Sequence, residues 1–98
     1  MATVNFNSAG ETLCAYLTGE IDHHSAQLLR VRIDGEISRR MPETLILDFG
    51  NVGFMDSSGV GLILGRARQM QAFGGRLVVQ NPPEQIQKML RLARIEFV

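Results

Sequence analysis

Gly53-Phe54-Met55-Asp56-Ser57-Ser58-Gly59-Val60-Gly61 is the stretch that decides the fold. An apolar run from Leu45 to Phe49 leads into it, and a helix-period pattern from Val60 to Phe73 leaves it. Between the two stand one acid, two adjacent hydroxyls and a glycine. A strand handing over to a helix in this way leaves the first backbone N–H groups of the helix free, at the positive end of its dipole. A hydroxyl at that place is exposed, and a phosphate added to it is well received by those N–H groups.

Outward from this junction the chain alternates element types. Towards the N-terminus, Val4 and Phe6 alternate within Thr3 to Asn7, and Leu13, Ala15 and Leu17 alternate within Thr12 to Thr18. Ser8-Ala9-Gly10-Glu11 reads as the turn of a β-hairpin, and Gly19-Glu20 ends its second strand. Asp22 is placed as the N-cap of a helix whose buried stripe is Leu29, Ile33 and Ile37, which ends near Arg40 with Pro42 as the stop. Thr44 to Phe49 is a nearly continuous apolar strand of the kind covered on both faces.

Towards the C-terminus, spacing assigns Val60, Ile63, Leu64, Ala67 and Met70 to the buried face of a helix stopped by Gly74-Gly75. Arg76 to Gln80 is a strand. Asn81 is the expected cap of a third helix with Pro82 and Pro83 in its first turn, burying Ile86, Met89, Leu90 and Ala93. Ile95 to Val98 reads as a last strand. The predicted order is ββαβαβαβ: an α/β fold with a mainly parallel, mixed sheet of four to five strands and one antiparallel edge. In such sheets function gathers at the strand carboxyl ends, where Asp56 to Ser58 lie.

The 98 residues form one domain, 1–98, with ten basic and ten acidic side chains. That balance predicts neither a nucleic-acid nor a membrane partner. Cys14 is the single cysteine, which fits a reducing compartment, and with no signal segment or long apolar run the expected location is the cytoplasm.

Each candidate site has a plain reading beside a functional one. One of Ser57 and Ser58 serves as a helix cap, or the pair is a modification site kept open by Gly53, Gly59 and Gly61. Catalysis by serine needs a base and an oxyanion hole. His23 and His24 are the only histidines, nothing places them at Ser57, and a G-x-S-x-G elbow is missing. Asp56 is a lone carboxylate, suited to bonding the turn's N–H groups or to holding Ser57. Asp22-His23-His24 lacks a third ligand at zinc spacing, so capping by Asp22 beside two exposed imidazoles is expected. Gly59, Gly61 and Gly65 do not match a phosphate-loop spacing. No metal or cofactor is expected.

Two quoted stretches, Leu17-Thr18-Gly19-Glu20-Ile21-Asp22-His23-His24-Ser25-Ala26 and Phe54-Met55-Asp56-Ser57-Ser58-Gly59-Val60-Gly61-Leu62-Ile63-Leu64-Gly65-Arg66, resemble the STAS domain, most closely that of the anti-sigma factor antagonists of spore-forming bacteria. The resemblance spans essentially the whole chain. It implies a non-enzymatic regulator of sporulation-type transcription. Its partner would be an anti-sigma factor that is a serine kinase of the GHKL ATPase type. The unphosphorylated antagonist binds that kinase and frees the sigma factor. Phosphorylation of the first motif serine, here Ser57, ends the binding, and a PP2C-type phosphatase restores it. Asp22, His23, His24, Asp56, Ser57, Ser58 and Gly59 are the implied partner-binding residues. Family members commonly add a helix after the last strand, whereas this sequence stops at Val98. The competing functions are another STAS scaffold or binding module and a small hydrolase using Ser57 or Asp56.

Overall fold

A computed structural model describes all residues 1–98. The elements in order are β1 (Ala2–Ala9), β2 (Thr12–Ile21), α1 (His23–Arg40), β3 (Thr44–Met55), α2 (Ser57–Ala72), β4 (Arg76–Gln80) and α3 (Glu84–Leu92). They form one four-stranded sheet of order β1-β2-β3-β4. β1 pairs antiparallel with β2, and β2–β3 and β3–β4 are parallel. The predicted class, the hairpin and the three helices are all present.

Leu13, Ala15 and Leu17 of β2, with Leu45, Leu47 and Phe49 of β3, are fully buried. They share one core with Leu29, Ile33 and Ile37 of α1, Ile63 and Met70 of α2, and Ile86 and Leu90 of α3. Burial of this many aliphatic side chains drives folding.

Four expectations are corrected. β3 runs on to Met55 rather than ending at Phe49. Its register against β2 slips twice, between Tyr16 and Thr18 and between Gly19 and Glu20. Each slip inserts an extra β3 residue, so core-facing positions move from Leu45, Leu47 and Phe49 to Val52 and Met55. Strict alternation stops at the first bulge, which hides the rest of the strand from a period-two reading.

The buried face of α2 is rotated from the expected one. Gly59, Leu62, Ile63, Arg66 and Met70 are buried, whereas Leu64 is exposed. Val60-Gly61-Leu62-Ile63-Leu64 is apolar nearly all round, so spacing alone does not select a face.

Asn81 does not cap α3. It takes a left-handed conformation with φ 59° and turns its amide to Asp48, while Pro83 occupies the cap position without a side-chain bond. Finally, Ile95 to Val98 is not a regular strand. Only Val98 pairs with the sheet edge, donating to Val79 O at 2.9 Å and accepting from Asn81 N at 2.9 Å. Ile95 and Phe97 still pack on the core, and the Arg91 guanidinium lies 5.4 Å from the Phe97 ring centroid.

Candidate functional site

β2 and β3 are parallel neighbours that end in register, Ile21 opposite Met55. The next residue of each is an aspartate, and each aspartate caps a helix. Asp22 accepts a hydrogen bond from Ser25 N at 2.8 Å, and Asp56 accepts one from Ser58 N at 2.8 Å. The two caps have nearly the same backbone, φ −107°, ψ −173° at Asp22 and φ −97°, ψ −172° at Asp56. Asp56 N donates to Ile21 O at 3.1 Å and ties the two junctions together. Because neighbouring strands lie about 4.8 Å apart, two helix N-termini open side by side on the carboxyl edge of the sheet.

This places every expected site residue in one patch. Asp22, His23 and His24 begin α1, and Asp56, Ser57, Ser58 and Gly59 begin α2. The cap of α2 is the Asp56 carboxylate, so neither serine hydroxyl is spent on capping. Ser57, the first residue of α2, is exposed, and Ser58 is half-buried. Asp22 is exposed, and the bonds from the Ser25 backbone and side chain hold its carboxyl below the usual range, with smaller contributions from the N-terminal ammonium and then His24. His23 Nε2 faces the Gln27 amide at 3.5 Å, and no hydrogen bond joins either histidine to a serine hydroxyl.

Gly59 is buried, and a Cβ there would collide with Cγ and Sδ of Met55, the last residue of β3. The motif glycine lets α2 close down on the end of its own strand. That close approach holds Ser57 at the surface, one residue beyond the cap.

A groove of about 310 Å³ runs from this patch between α1 and α2. His23, Gln27 and Arg30 line one wall, and Ser58, Gly61 and Arg66 the other. Arg66 is 8% exposed, and its Nε lies 2.9 Å from Asp34 Oδ1 of α1. Burial pulls the guanidinium below its ordinary value, Asp34 opposes this, and Arg30 adds to it. Sequence reading overlooked Arg66, Arg30 and Asp34. The available signal was an arginine four residues after Leu62 and four before Met70, on the stripe that is buried.

On the far side of the sheet Asp48 is buried. Its carboxylate accepts from Gly50 N at 2.8 Å, Gln80 Nε2 at 2.7 Å and Asn81 Nδ2 at 2.9 Å. Burial raises its pKa, but the three donors outweigh burial and the net shift is downward. These bonds pin the first β3 bulge to the end of β4.

The fold has counterparts among known proteins. An anti-sigma F factor antagonist of Lysinibacillus sphaericus is 39% identical over 83 residues, covering 85% of this chain and 71% of the relative. The anti-sigma factor antagonist SpoIIAA in its unphosphorylated form superposes with a TM-score of 0.84 at 34% identity, over 95% of this chain and 82% of that one. The phosphorylated form of the Bacillus cell fate determinant SpoIIAA does so with a TM-score of 0.76 at 36% identity, over 93% and 83%. The STAS domain family model matches residues 3–98, and with the paired aspartate-capped helices in place the chain belongs to the STAS domain family.

Proposed function

We propose that this protein is an anti-sigma factor antagonist: it binds an anti-sigma factor kinase through the paired helix starts, thereby frees a sigma factor, and is switched off by phosphorylation of Ser57. The observation that carries this reading is the exposed Ser57 hydroxyl, unused by the cap, beside a second aspartate-capped helix start. The likeness to an antagonist solved in both unphosphorylated and phosphorylated forms supports it.

The chemistry is electrostatic. Phosphorylation adds between one and two negative charges and three acceptor oxygens. At Ser57 these stand next to Asp56 and across from Asp22. The free N–H groups and dipoles of the two helices offset part of the repulsion inside the protein, so the fold persists. A partner surface shaped for the bare hydroxyl meets new charge and bulk. A loss of about 2–3 kcal/mol at that interface weakens binding by roughly 30- to 150-fold. A PP2C-type phosphatase would reset the switch. Hydrolysis by Ser57 is not favoured, because no hydrogen bond joins it to a histidine base.

Incubating the protein with ATP and a candidate anti-sigma kinase, followed by peptide mass spectrometry, tests the reading. One phosphate on Ser57, absent from Ser57→Ala, is expected. An active kinase that leaves Ser57 unmodified refutes the switch and favours a STAS scaffold role.

A further inference from the structure

The groove between α1 and α2 has a chemistry separate from the Ser57 hydroxyl. It starts at Ser58 and descends eight residues to Arg66, about 12 Å along the helix. Gly61 and Gly65 leave the α2 wall without side chains that would fill it. Two guanidinium groups reach it from opposite walls, Arg30 from α1 and Arg66 from α2.

These charges are under-compensated. Asp34 is the one carboxylate paired to them, and its Oδ1 sits 2.9 Å from Arg66 Nε without forming a well-directed hydrogen bond. Gln69 Oε1 also meets Nε, at 3.3 Å. Both polar partners of this nine-tenths-buried, groove-lining arginine are therefore at Nε, and no hydrogen bond within the protein engages its two terminal nitrogens. Arg30 makes no ion pair within the protein. Two cations against one carboxylate leave the groove a net charge of +1. The Ser58 hydroxyl and the Gln27 amide add neutral donors on either wall.

We propose that this groove binds a phosphate-type oxyanion, free or carried as a monoester on a small molecule. Guanidinium forks pair with such oxygens through two parallel bonds, and donors arriving from two walls suit a tetrahedral group better than a planar carboxylate. The site stands whether or not Ser57 is modified.

NMR of the ¹⁵N-labelled full chain tests it, with inorganic phosphate titrated against sodium chloride at equal ionic strength. Saturable shifts are expected at the Ser58, Gly61 and Gly65 amides and at Arg66 Nε–H, with a dissociation constant of about 1 mM. Arg30→Gln, at an exposed position without a protein partner, should weaken binding about tenfold and leave the remaining spectrum intact. Arg66→Lys, which keeps the charge opposite Asp34 but removes the fork, should weaken it as well. Glycerol phosphate binding like phosphate would show that the groove takes monoesters, and phosphate binding alone would assign it to the free ion. Shifts that never saturate, that chloride reproduces, or that survive Arg30→Gln would overturn the site. Equal affinity for succinate would overturn its assignment to phosphate.

Discussion

Gly59→Ala is a one-carbon change at the centre of the motif, and its cost can be worked from a single contact. The added Cβ would occupy the space of Met55 Cγ and Sδ, and Met55 is itself buried at the end of β3. The flexible thioether can move, but only into neighbouring core, so overpacking costs about 1–3 kcal/mol. Replacing glycine by alanine within a helix returns roughly 0.5–1 kcal/mol. The expected net loss is about 0–2.5 kcal/mol, with Tm falling about 4–8 °C for each kcal/mol in a chain of this size. Urea denaturation of a double-mutant cycle isolates the contact. Met55→Ala alone costs about 2–5 kcal/mol through lost packing. In that background Gly59→Ala should be neutral or stabilising, because its Cβ enters vacated space. The coupling between the two sites should be about 1–3 kcal/mol. An equal loss from Gly59→Ala in both backgrounds would refute the reasoning, since Met55 would then not be what excludes a side chain at position 59.

Two further outcomes follow from the caps and the buried carboxylate. Asp56→Ala removes the bond to Ser58 N and should cost about 0.5–2 kcal/mol in thermal or urea unfolding, with Asp56→Asn or Asp56→Ser recovering most of it. Asp48 has a folded-state pKa below its ordinary 3.8. Its contribution is therefore fully present above the unfolded value and fades as pH falls through the lower folded one. Asp48→Asn cannot accept all three donors and should lose about 1–3 kcal/mol at neutral pH. The variant should also lose less stability than the parent between pH 5 and acid, in stability–pH curves measured by denaturant. Parallel curves for the two proteins would show that Asp48 is not a source of the acid sensitivity.

Much of the site was legible because capping is local. An aspartate followed by small or polar residues, after a strand and before an apolar period of 3.6, specifies a helix start within a few residues of chain. Asp22 carries that signal outright, whereas at the second junction Ser57 and Ser58 offered the same cap and the structure gives it to the Asp56 carboxylate. The Leu29, Ile33 and Ile37 stripe was equally readable, since the other positions around it are largely polar. Legibility failed where local rules leave several answers. Asn81 had the residue type of a cap, yet its amide has a buried carboxylate within reach, and that partner lies 33 residues away in sequence.

By itself the sequence determined the order of elements as far as α3, the aspartate cap of α1, an exposed hydroxyl at the start of α2 and the likeness to the STAS family. All of these depend on interactions between residues a few positions apart. Only the tertiary structure decided which face of α2 is buried, that β3 continues through two bulges to Met55, and that Val98 alone pairs at the edge. It also decided that the α1 and α2 starts stand together and that Arg30 and Arg66 share a groove. The reason is physical: β2 and β3 end in register only once they are paired, and their parallel pairing brings Ile21 and Met55, far apart in the chain, to one edge of the sheet.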